Sequence, residues 1–80
     1  MEESKENLKK LEAIFFISGR FLSIQEIISF SDLSPIMIKE LLEELKEKYN
    51  KENSAIEIVE KNKLWKMDVK KKYFDIINKF

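Results

Sequence analysis

The chain has 80 residues, 44% of them apolar and 38% charged, with no histidine, no cysteine and a formal net charge of zero. That composition leaves out disulfide frameworks, thiolate metal sites and the commonest general base and nucleophile, and it fits a reducing cytoplasm. The longest apolar run, Ala13 to Ile17, is far too short to cross a membrane, and no signal peptide is visible. A single domain of this size, residues 1–80, buries only about 60% of its unfolded surface, so a second copy would be a natural source of extra core.

Helix 1 is expected over about 5–18, opened by Ser4 and closed by Gly19, the only glycine. Leu8, Leu11, Ile14 and Phe15 form one stripe, with Ala13, Phe16 and Ile17 on the other side. The hairpin or the last helix could cover that second side; so could a partner chain. "SIQE", residues 23–26, is a capping box opening helix 2 over about 24–31, with Ile24, Ile27 and Ile28 inward and Phe30 beside that stripe. "SDLS", 31–34, is a tight connection in which Leu33 plugs into the core. Ser34 caps helix 3 and Pro35 takes its first position, where a missing N–H costs nothing. That helix, about 35–51, buries Ile38, Leu41, Leu42, Leu45 and Tyr49.

Alternation of period two then appears in "AIEIVE", 55–60, and in "LWKMDV", 64–69, where either Leu64 or Trp65 starts the inward set. "KNK" between them reads as the turn of a hairpin over about 55–69, with Asn62 at positive φ. A fourth helix over about 71–79 would place Tyr73, Ile76, Ile77 and Phe80 on one face. The fold class is therefore mainly α with a small β-hairpin: a winged helix-turn-helix with a three-helix core, a two-stranded wing and a C-terminal helix.

Three functional classes compete. Catalysis is rejected, because carboxylate pairs such as Glu43 and Glu47 lie on a Lys/Glu-rich exposed face, and no Gly-rich phosphate loop is present. Nor is any cofactor or small-molecule substrate expected. A small DNA-binding regulator would use Lys61, Lys63, Lys66, Lys70, Lys71 and Lys72 on or beside the wing. Helix 3, however, carries Glu40, Glu43, Glu44 and Glu47 and no arginine for guanine, so nucleic-acid binding would be weak or indirect. An interaction module accounts for more: Phe16, Ile17, Phe21, Phe30, Trp65 and Phe74 exceed what one small core easily covers, and as a set they are the candidate interface. Residues 1–47 carry net −4 and residues 48–80 net +4, which lets two copies dock with complementary fields.

The segments "LEAIFFISGRFLSIQEI" at 11–27, "LSPIMIKELLEELKEKY" at 33–49, "IEIVE" at 56–60 and Tyr73 resemble the segregation and condensation protein B family. The likeness lies in their order and spacing across roughly 8–76. It implies a cytoplasmic, nucleoid-associated, non-catalytic subunit of a chromosome-condensing complex, working with a kleisin and a coiled-coil ATPase. Members of the family usually carry two winged-helix domains; the first is associated with homodimerisation and the second grips the kleisin. This chain corresponds to the first. It departs from the family where a Gly-Gly turn is common, with Lys63 and Leu64 before Trp65, and at Lys71, where a proline often opens the last helix.

Overall fold

The computed structural model describes residues 2–80, with side chains from Lys5 onward. It contains helices α1 (Glu2–Ser18), α2 (Ile24–Ser31) and α3 (Pro35–Lys51), then strands β1 (Ile56–Lys61) and β2 (Leu64–Val69). A 3-10 turn, Lys71–Tyr73, leads into the short α4 (Phe74–Ile77). This is the winged helix-turn-helix expected from the sequence.

Local chemistry sets the helix ends. Ser23 Oγ accepts from the Glu26 N–H while the Glu26 carboxylate accepts from the Ser23 N–H, completing the capping box of α2. Asp32 ends that helix in the left-handed region, its N–H donating to the Ile28 carbonyl. Ser34 Oγ accepts from the Met37 N–H, with Pro35 in the first turn of α3. Gly19 takes φ +60° just past α1. The start of α1 differs from expectation: its backbone is already helical at Glu2, so Ser4 lies within the helix instead of opening it. The Ser4 side chain, and with it any capping role, lies outside the described residues.

The core is a continuous cluster. Leu11 and Phe15 of α1 meet Leu22, Ile27 of α2, and Ile38, Leu41, Leu42 and Leu45 of α3, with Tyr49 and Ile58 closing it toward the hairpin. Buried Ser31 is fully used: its hydroxyl donates to the Ile27 carbonyl at 2.6 Å and accepts from the Leu33 N–H.

The hairpin is antiparallel, pairing Ile56 with Val69, Ile58 with Met67 and Glu60 with Trp65. Its turn is two residues, and both Asn62 (φ 53°) and Lys63 (φ 61°) are left-handed, as the right-handed twist of the flanking strands requires. Leu22 exchanges both backbone hydrogen bonds with Trp65, at 2.7 and 2.8 Å, and so ties the wing to the α1–α2 connection. That bridge turns the Trp65 side of β2 inward. Trp65, expected in the exposed interface set, is 9% exposed and belongs to the core.

The C-terminal helix is also corrected. In place of one helix over 71–79, a 3-10 turn precedes a single α-turn, and α4 packs on that turn and on no other element to any extent. Tyr73 is half-buried, while Ile76, Ile77 and Phe80 are exposed.

Candidate interaction surface

A helix has two sides to satisfy. On α1, Leu11 and Phe15 point into the core, while Phe16 and Ile17 project outward at 80% and 81% exposure. Of the two coverings considered for that side, the chain provides neither: the wing packs beside Phe16 without enclosing it, and α4 does not reach it.

Each of these side chains borders an apolar groove. Ile17 lines one of about 300 Å³ with Ile14, Ser18, Arg20 and Phe30. Phe16 lines a second, of about 310 Å³, with Ala13, Ile56 and Met67, and Glu12 and Tyr49 at its edge. A third, also about 310 Å³ and partly polar, continues past Phe16 along β2 to Val69, with the paired Lys66 and Asp68 in its wall. Together they form one apolar band from α2, across α1, to the base of the wing.

The rims of the band are fixed by hydrogen bonds. Arg20 donates to Glu26 at 2.7 Å and to the Phe21 carbonyl at 3.1 Å. The Arg20 guanidinium, followed by the Ser23 N–H, holds the Glu26 carboxyl below its ordinary range. On the other rim, burial would raise the Glu12 carboxyl, but Tyr49 at 2.6 Å and Lys48 at 3.0 Å donate to it and outweigh that effect. These groups are engaged structurally, which leaves the band itself apolar.

The structure separates the six candidate interface residues. Phe16, Ile17, Phe30 and Phe74 are exposed; Phe21 is half-buried under Lys66, whose Nζ lies 5.8 Å from its ring; Trp65 is core. The band also includes Ile56, Met67 and Val69, none of them among the candidate interface residues. Ile76, Ile77 and Phe80, which the sequence places with Tyr73 on one face of a fourth helix, are exposed.

The six lysines do not form one patch. Lys61 and Lys63 stand at the hairpin tip, whereas Lys70, Lys71 and Lys72 follow its base, a strand length of roughly 17 Å away. Lys66 pairs with Asp68 at 3.6 Å, and Lys72 lies 5.2 Å from the Tyr73 ring. On α3, Glu40, Glu43, Glu44 and Glu47 are all exposed. Lys46 reaches Glu43 at 3.6 Å and Glu60 at 3.5 Å, and Lys48 is turned away to Glu12, so of these two lysines only Lys46 offsets charge on that face. Among the described residues no group of three acidic, histidine or cysteine side chains could hold a metal ion, and no helix is long and apolar enough to cross a membrane.

Comparison with known proteins agrees with this architecture. A solved structure described as a dimer of the ScpB N-terminal domain complexed with ScpA peptide superimposes with a TM-score of 0.84 at 26% identity, covering 100% of this chain and 93% of that one. ScpB from Mycobacterium tuberculosis (TM-score 0.83, 13% identity, 95% of this chain and 48% of that) and a conserved hypothetical protein from Chlorobium tepidum (0.81, 19%, 98% and 49%) share the fold. Segregation and condensation protein B of Streptococcus mutans is 31% identical over 75 residues, 91% of this chain, and the chain spans 38% of the length of that relative. The family described as segregation and condensation complex subunit ScpB matches residues 9–80, and the chain belongs to it.

Proposed function

We propose that this chain is a non-catalytic winged-helix interaction module in chromosome segregation and condensation. It pairs two copies through the apolar band on α1 and, so paired, helps hold a kleisin and, through it, a coiled-coil ATPase at the nucleoid in the cytoplasm. The observation that carries this reading is the exposure of Phe16 and Ile17 on grooves of about 300 Å³. Apolar surface of this kind, rimmed by engaged polar groups, is what a protein partner covers. The similar ScpB N-terminal domain described as a dimer with ScpA peptide gives the reading independent support.

The DNA-binding alternative has less behind it. Its lysines are divided between the two ends of the wing, and the helix that would enter the groove exposes four glutamates.

Sedimentation velocity over a concentration series, followed by titration with the kleisin subunit, tests the proposal. A concentration-dependent dimer that Phe16→Ser with Ile17→Ser converts to a folded monomer is the expected result. A chain that stays monomeric throughout and does not bind the kleisin overturns it.

A further inference from the structure

Residues 74–80 are a second exposed apolar segment among the described residues. Ile76 and Ile77 are 51% and 56% exposed, and Phe74 and Phe80 are exposed beside them. The segment leaves β2 at Val69, where the Lys70 N–H bonds to the Ala55 carbonyl. Val69 also lines the groove that runs to Phe16. The two apolar surfaces therefore share a border, yet α4 makes no extensive contact with any element but its own 3-10 turn.

We propose that the two surfaces meet between molecules: residues 74–80 of one copy lie in the α1 band of a second, and the exchange is reciprocal. The proposal deepens the dimer reading above and rests on it.

Three observations favour a second copy as the occupant. The first is area. At about 200 Å² for a whole large apolar side chain, the exposed parts of Phe16, Ile17 and Phe30 offer roughly 400 Å². A standard interface buries about 800 Å² per partner, a little over half of it apolar, so α1 facing α1 would only just supply the apolar share. Adding the exposed parts of Phe74, Ile76, Ile77 and Phe80 brings the total to roughly 900 Å² per molecule at the same figure per side chain.

The second is shape. The band holds grooves beside Phe16 and Ile17, whereas Phe74, Ile76 and Ile77 expose apolar side chains from one short helical turn, the kind of element that can lie in a groove. Two such bands facing each other would leave those grooves unfilled. The third is charge. Residues 70–80 contain four lysines and one aspartate, net +3, and the cations beside the band are already paired, Arg20 with Glu26, Lys48 with Glu12 and Lys66 with Asp68, so none of these stands free to repel the segment. Reciprocal exchange about a two-fold axis uses both surfaces twice and closes on itself.

The absence of native cysteine makes a direct test simple. Ile17→Cys and Ile77→Cys chains are mixed under mild oxidation, and disulfide-linked peptides are mapped by mass spectrometry. The expected result is a link between position 17 of one chain and position 77 of the other, on a dimer seen by sedimentation. Links confined to 17–17 or 77–77, or a dimer with no link, overturn the exchange while leaving the dimer reading intact. So does a double variant that closes its 17–77 link within a monomer. Monomers without links under all conditions overturn both. As a second measure, Ile77→Asp, at an exposed position, should weaken self-association about tenfold or more while the circular dichroism spectrum stays unchanged.

Discussion

The Tyr49 hydroxyl donates to Glu12 across the α1–α3 contact at 2.6 Å, and the Lys48 ammonium donates to the same carboxylate oxygen at 3.0 Å. One acidic side chain on the first helix is thereby held by two consecutive residues of the third. Tyr49→Phe removes the shorter bond and keeps the ring. Because Glu12 retains Lys48 and is a quarter exposed, the loss should be about 1.5 kcal/mol, at the low end for a hydrogen bond to a charged group. Urea denaturation should show a lower midpoint with an unchanged slope. An unchanged midpoint would mean that water replaces the hydroxyl without cost.

The same contact gives the domain a defined pH response. The folded-state Glu12 carboxyl lies below its ordinary value of 4.5, and Glu26 is shifted in the same direction by Arg20. A lowered folded-state value means that the unfolded chain takes up protons first as pH falls. The stabilisation is therefore complete above about pH 4.5 and is lost as pH drops through the folded-state value. At the alkaline end, burial and then the Glu12 bond push the Tyr49 hydroxyl above its ordinary 10.0, so stability falls again once pH rises past that point. Thermal melts from pH 3 to pH 11 should show a plateau with these two edges. Glu12→Gln should flatten the acidic edge in part, leaving the Glu26 contribution. A Gln variant with an unaltered acidic edge would remove Glu12 from this account.

Much of this was legible in the sequence because the signals are local. The capping box Ser23–Glu26, the Ser34 cap with Pro35, and the spacing of Ile38, Leu41, Leu42, Leu45 and Tyr49 each fix their own element. Where the outcome depended on distant contacts, the sequence was silent. Alternation left open whether Leu64 or Trp65 faced inward, and the backbone bridge from Trp65 to Leu22, 43 residues earlier, decides it. The apolar spacing of residues 73–80 suggested a longer helix, but helices this short need tertiary packing, and beyond its own 3-10 turn no element packs extensively on it. The band on α1 was half visible: Phe16 and Ile17 stood out, but the grooves beside them exist only once α2 and the wing are in place.

Trp65 and Phe16, both singled out as interface candidates, should behave in opposite ways. Trp65→Ala opens the core beneath the wing and should cost about 3–5 kcal/mol, enough to unfold much of a domain this small. Phe16→Ser alters an exposed position and should change monomer stability by no more than about 0.5 kcal/mol. Chemical denaturation at low protein concentration separates the two. A large loss from Phe16→Ser in the monomer would place that side chain in the fold and not in the interface.

The wing turn carries removable strain. Lys63 sits at φ 61° without a glycine's freedom, directly after Asn62 at 53°. A non-glycine residue in the left-handed region costs about 1–2 kcal/mol, and glycine returns part of that through its more mobile unfolded state. Lys63→Gly creates the Asn-Gly pair that this turn type favours and should stabilise the domain by about 0.5–1 kcal/mol. For a chain of this size that is a rise in Tm of about 2–8 °C. A fall in Tm would show that the Lys63 side chain contributes more than its backbone costs.

The division of the lysines between the two ends of the wing limits what DNA could gain from this surface. Lys66 is occupied by Asp68 and Phe21, and the tip and base groups lie roughly 17 Å apart, so one approach engages about two phosphates. Fluorescence anisotropy with a labelled random duplex, from about 50 to 200 mM salt, should show binding no tighter than about 10⁻⁴ M, with a log–log salt slope no steeper than about −2. The exposed glutamates of α3 oppose any docking that would recruit both groups at once. Tight binding with a slope near −5 would require a surface that gathers the lysines, and the paired molecule is where it would have to arise. Repeating the titration with Lys71→Glu and Lys72→Glu would then show whether the base of the wing supplies it.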